Sequence, residues 1–315
     1  MAFEIFKQQF GELTEFVIQE TVSGNRCVII PELGGIVRQL SLRKHLTLFS
    51  ILKTPPTPHL LVEDSRSASE LLFPFASRIP DGKYKFYGKE YQLEKNETGN
   101  LNAIHGLVRK KAFRLEEQLV HADHASIKLS FTLENVDGYP FQVHFSVLYS
   151  LHEDGRFTLN YEAKNTGSEN CPVMFGWHPY FQIGDEQADA WKISIPSNEI
   201  VAFDNNQIPI GREPFYLEKP TLLYRKAFDN CFIIDQPGID AVTELISENQ
   251  KVTVQIIQET GEGKFNHLVV YTPPARDCVA IEPLTANVDS FNSGDGLNIL
   301  APGTHITGRI TVRLT

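Results

Sequence analysis

Cysteine, methionine and tryptophan are scarce in this chain, at 4, 2 and 2 of 315 residues. The four cysteines, Cys27, Cys171, Cys231 and Cys278, lie far apart and form no CxxC pair. That spacing argues against a disulfide framework or a zinc site and predicts buried or partly buried free thiols. No apolar run approaches the ~18 residues of a membrane span. Glu4, Lys7 and Glu12 interrupt the stretch where a signal peptide needs its apolar core. A soluble cytoplasmic protein with no membrane partner is the expectation. Basic residues are outnumbered by acidic ones, 29 to 39, for a net charge of −10. The imbalance disfavours broad, charge-driven nucleic-acid binding, while leaving room for a local basic pocket.

Familiar catalytic motifs are also missing. The glycine-rich GEGKF (261–265) has Gln258 where a phosphate-binding loop needs its first glycine, and Phe265 where it needs Ser or Thr. There is no HExxH and no GxSxG. Asn96-Glu97-Thr98 is formally a glycosylation sequon, read as chance without a secretion signal. Nucleotide, zinc-protease and serine-hydrolase chemistry therefore have no foothold.

Strand signals are abundant. In FQVHFSVLYSL, Phe141, Val143, Phe145, Val147 and Tyr149 share one face, and Gln142, His144, Ser146 and Ser150 the other. That period of two marks an antiparallel strand with one face on a core. Similar runs include EFVIQET, NRCVII, GIVRQLSL, SIKLSFTLE, RFTLNYEAKN, WKISIP, CFIID, VTVQIIQE, HLVVYT, VAIEP and HITGRITVRLT. Turn chemistry separates them, as at Asp137-Gly138-Tyr139-Pro140 and Asp154-Gly155. One short helix is expected at 65–72, stopped by Pro74. Without βαβ alternation or a Pro/Ser/Gly-rich linker, residues 1–315 read as one large all-β domain, a sandwich or barrel.

Polar residues concentrate where the strand pattern breaks. His178 sits between Trp177 and Pro179, with Tyr180 and Phe181 following. Proline ends or bends a strand there, and a histidine in an aromatic wall suits a sugar. A hydrogen-bonded core histidine explains it equally well. Glu282 ends the apolar run Val279-Ala280-Ile281 before Pro283. Desolvation would raise its pKa and make it a better base near neutral pH, unless it is a solvated strand end. His105 precedes Gly106, Arg78 has Asp81 as a nearby acid, and Asp229 opens an apolar strand or forms an Asx turn. Of the other histidines, His121 and His124 flank Asp123 at a hairpin tip, and no pair has metal-ligand spacing.

In order along the chain, FPFASRIPDGKY, His105-Gly106, GYPF, WHPYF, IPIG, FDNCFII and IEPLTANVDSFN resemble the aldose 1-epimerase family, also called galactose mutarotases. The resemblance covers nearly the whole chain. It implies a large antiparallel β-supersandwich with its site in a cleft on one sheet. It implies Glu282 as catalytic base, His178 as catalytic acid, His105 as a second active-site histidine, and Arg78 and Asp229 as sugar-binding residues. The reaction it implies interconverts sugar anomers and needs neither metal nor other cofactor. A small-molecule sugar is then the partner, with the protein a monomer or homodimer.

Three departures bear on substrate. Ser77 stands where the pattern often has Asn before the arginine, Leu107-Val108-Arg109 replaces further glycine, and Val270 occupies a stretch that often holds an aromatic. They raise the related hexose-6-phosphate 1-epimerases as an alternative, with Arg109, Lys110 and Lys111 as phosphate ligands unless these form a solvated basic turn. A non-catalytic carbohydrate-binding or sugar-sensing protein on the same scaffold is the other alternative.

Overall fold

The computed structural model describes residues 2–234 and 236–315. Met1, and Asp235 at the end of the CFIID run, lie outside the described residues. Three antiparallel sheets carry most of the chain. The first is a meander of Phe3–Phe10, Leu13–Glu20, Arg26–Ile30, Ile36–Lys44 and Thr47–Ser50. The second, of nine strands, runs in the order Arg114–Val120, His124–Leu133, Val143–His152, Phe157–Asn165, His305–Leu314, Val252–Gln258, Ala241–Ser247, Lys192–Ser194, Thr221–Leu222. The third, of eight strands, is ordered Pro209–Pro214, Glu199–Phe203, Asp229–Ile233, His267–Tyr271, Val279–Leu284, Gly176–His178, Glu70–Leu72, with Tyr180–Phe181 also paired to Val279–Leu284.

The core lies where the nine- and eight-stranded sheets meet. The alternation of FQVHFSVLYSL holds: Val143, Phe145, Val147 and Tyr149 are fully buried. Phe145 stacks on Phe73 with ring centroids 4.3 Å apart and meets Phe175 at 5.5 Å. Phe157 meets Trp177 at 6.1 Å. Because successive strand residues point to opposite faces, Trp177 pointing into this core sends His178 to the sheet's other face. The four cysteines are buried and free.

The helix expected at 65–72 is absent. Ser67 and Ser69 take positive φ, and Glu70–Leu72 joins the eight-stranded sheet opposite His178, Trp177 and Gly176. Pairing and burial override local helix preference there. A helix forms just upstream instead, at Pro58–Val62, with Thr57 capping the Leu60 N–H and Pro58 in the first turn. Among the described residues, no helix is long and apolar enough to cross a membrane.

Truncating Phe145 removes a fully buried ring that packs on Phe73 and Phe175, the residues flanking two strands of the eight-stranded sheet. Phe145→Ala should lower unfolding free energy by ~3–5 kcal/mol in chemical denaturation. A loss below ~1 kcal/mol would contradict this account of the core.

Candidate active site

The open face of the eight-stranded sheet is built by register. Gly176 pairs with Leu284 and Tyr180 with Ala280, so His178 stands opposite Glu282. Glu282 pairs on its other side with Val269, and Val269 with Cys231. One row along, Asp229, Tyr271, Ala280 and Tyr180 form a parallel line. Two small apolar clusters, one containing Tyr180, Ala280 and Tyr271 and the other Val201, Cys231 and Val269, flank the Glu282 carboxyl.

His178 Nε2 lies 3.3 Å from Glu282 Oε1, and both side chains are almost wholly buried. His105 stands edge-on to His178 with ring centroids 5.3 Å apart. Its backbone sits at φ +64°, with its N–H donating to the Ser77 carbonyl. The next residue must be glycine: at Gly106, φ is +79° and a Cβ would meet the Phe73 carbonyl oxygen at 2.4 Å. This close approach brings the histidine turn over the strand ends. Nδ1 of both His105 and His178 is buried without a hydrogen-bond partner.

Burial sets the electrostatics. It pushes the Glu282 carboxyl well above its ordinary range, with Asp229 adding to the rise and Arg78 opposing it. It lowers His178 to about 4, against which Asp64 pulls upward. It also holds His105 well below the usual imidazole value, with His178, Arg109 and Arg78 contributing. Desolvation raises the Asp229 carboxyl and Arg78 opposes the rise. All five sequence candidates therefore fall within one electrostatic neighbourhood.

Two arginines border it, each held by a glutamate. Arg78 Nε donates to Glu97 Oε1 at 2.8 Å, so Asp81 is not its partner. Arg109 Nε donates to Glu70, the residue paired with His178 on the neighbouring strand. Lys110 Nζ donates to the carbonyls of Val62 and Asp64. Of the three cations expected as phosphate ligands, Arg109 and Lys110 thus have partners within the protein, whereas Lys111 is exposed. A groove of about 540 Å³, lined by Phe75, Leu107 and Phe131 together with Arg109, Lys110 and Lys111, borders the same turn, and neither His178 nor Glu282 lines it.

Sequence reasoning missed Glu70, Glu97 and Tyr271. It also looked for the aromatic one position early: Val270 is fully buried in the core, whereas Tyr271 faces the open side. Counting by twos across the ladder from Glu282 finds Tyr271. Nothing local marks Glu70, and Glu97 lay within the sequon.

The sequence model of the aldose 1-epimerase family matches residues 18–313. The uncharacterized protein YihR of Escherichia coli is 26% identical over 240 residues, 74% of this chain and 75% of its own. The aldose 1-epimerase of Escherichia coli is 28% identical over 139 residues, 43% of this chain and 38% of its own. Among solved structures, a galactose mutarotase-like protein from Clostridium acetobutylicum superposes with a TM-score of 0.85 at 22% identity, covering 100% of this chain and 99% of that one. At such identities the superposition shows the fold alone.

Histidine burial has a consequence for stability. His267 lies on the same face, both ring nitrogens buried without partners, and burial lowers it to about 4 from 6.5 despite the nearby Asp295. The unfolded chain then takes up this proton first as pH falls. The stability contribution is complete above pH 6.5 and is lost progressively down to about 4. His267→Leu should lose less stability than the parent between neutral pH and mild acid, measured by denaturant midpoints. Identical losses would contradict the assignment.

Proposed function

The chain belongs to the aldose 1-epimerase family, and on that basis we propose that it interconverts the α and β anomers of an unphosphorylated aldohexose by opening and reclosing the pyranose ring. The observation that carries this reading is the buried His178–Glu282 pair, 3.3 Å apart across adjoining strands. Ring opening needs a base at the C1 hydroxyl and an acid at the ring oxygen simultaneously. Glu282 as carboxylate removes the hydroxyl proton, and His178 as imidazolium protonates the ring oxygen. The C1–O5 bond breaks, leaving an aldehyde. Rotation about C1–C2 presents the opposite carbonyl face, and reversed proton transfers close the ring.

The pair needs one proton between its two members. Burial opposes the charged arrangement, while Arg78 favours the carboxylate and Asp64 the imidazolium. His105 and Arg78 supply hydrogen bonds to oxygens that gain charge. Asp229 accepts from sugar hydroxyls, and Tyr271 offers a ring to the apolar sugar face. An uncharged substrate is supported by the engagement of Arg109 with Glu70 and of Lys110 with backbone carbonyls. Residues 1–315 are read as one domain, supported by a core cluster drawing on Phe3 through Val312.

Glu282→Gln should lower mutarotation by roughly a thousandfold in polarimetry while sugar binding survives. Wild-type activity in that variant would remove Glu282 from the reaction. The pair titrates in two macroscopic steps. Gain of a second proton abolishes the base, and burial places that step below the ordinary imidazole value of 6.5. The acid limb of kcat/KM should therefore fall below pH 6.5, and an acid limb above it would contradict this proton inventory. Arg78→Ala should mainly raise KM, and an unchanged KM would remove Arg78 from sugar binding.

A further inference from the structure

We infer that the strap of residues 96–104 is a positioning device for Arg78, with Glu97 as the side chain that aims it; the inference builds on Arg78 binding sugar. The Asn96 amide grips one residue in both directions: Oδ1 accepts the Ile104 N–H at 2.7 Å, and Nδ2 donates to the Ile104 carbonyl at 3.1 Å. Ile104 is the ladder partner of Arg78. The start of the strap is thereby tied to the backbone beside the arginine. Glu97, the next residue, turns inward to accept from Arg78 Nε at 2.8 Å. Its second oxygen accepts from Asn102 Nδ2, also at 2.8 Å. The Asn102 carbonyl in turn accepts the N–H groups of Asn96 and Glu97, closing the loop on itself.

The Glu97 carboxylate is thus fixed at both oxygens and mostly enclosed, at 11% exposure against 25% for Arg78. Arginine presents five donors in a rigid fork. Holding the fork at Nε fixes its plane. Among the described residues, the two terminal nitrogens of Arg78 make no hydrogen bond within the protein. They remain available for substrate oxygens. Arg78 exerts a positive field on Glu282, Asp229 and His105, and the carboxylate in contact with it carries the opposing charge. The sequon asparagine is consequently a structural clamp, its amide nitrogen already in use.

The test compares wild type with Glu97→Ala and Glu97→Gln. Glu97→Ala should raise KM about tenfold while kcat stays within about twofold. Glu97→Gln should recover most of the KM, because its amide oxygen still accepts from Nε. Both should move the alkaline limb of the pH profile to lower pH, since Arg78 then acts unopposed on the Glu282 carboxyl. A merely structural Glu97 would lower stability and kcat together and leave that limb in place. Nitrogen-15 NMR reads the geometry without activity: the Arg78 Nε–H should be slowly exchanging in wild type and in Glu97→Gln, and fast in Glu97→Ala. Unchanged KM and a protected Nε–H in Glu97→Ala would overturn the inference. Should wild type accelerate no anomer exchange, the epimerase reading fails, and the Nε–H signal with the sugar Kd decides this inference separately.

Discussion

Two ionisable side chains, each pushed toward its neutral form by burial, face one another where Gly176–His178 adjoins Val279–Leu284. Burying such a pair is costly, and removing one partner leaves the other without its counterpart. Much of the local structure answers to that constraint. Trp177 anchors one strand in the core so that His178 must point the other way. Pro179 interrupts the strand directly after the histidine, and Tyr180 resumes pairing with Ala280. Glu282 is paired with Val269 on one side, and on the other its strand is fixed at Leu284 by Gly176 and at Ala280 by Tyr180. A shift of one residue in either strand would turn one of the two groups into the core.

Around this pair, charge is balanced locally. Each bordering arginine has its own glutamate, Arg78 with Glu97 and Arg109 with Glu70. The two arginine charges nearest the pair are thus each matched by a carboxylate. A net charge of −10 is compatible with such a site because an uncharged sugar asks nothing of the overall field. Apolar clusters on either side of the carboxyl reduce its contact with water, which is why its pKa rises.

The strands were legible because their alternation is a local signal that burial confirms, as in Val143 to Tyr149. His178 and Glu282 were legible because each sits beside a proline that interrupts regular structure. The 65–72 helix was misjudged because Leu71 and Leu72 owe their conformation to Trp177 and Gly176, about a hundred residues away in sequence. Glu97 and Glu70 were invisible for the same reason: their partners Arg78 and Arg109 are distant in sequence, and an acid carries no mark of its future neighbour. Tyr271 was missed by one position, because the face a strand residue occupies depends on a register that only the assembled sheet defines. The order of the strands in the two large sheets likewise had no local trace.

The central claim is that the buried pair moves protons on a free, uncharged aldose. Anomer-exchange NMR with glucose, galactose and glucose 6-phosphate side by side, using the full chain, tests it most directly. The account predicts accelerated exchange of at least one free aldose. Exchange confined to the phosphate ester, or saturable sugar binding with no acceleration at all, would contradict it.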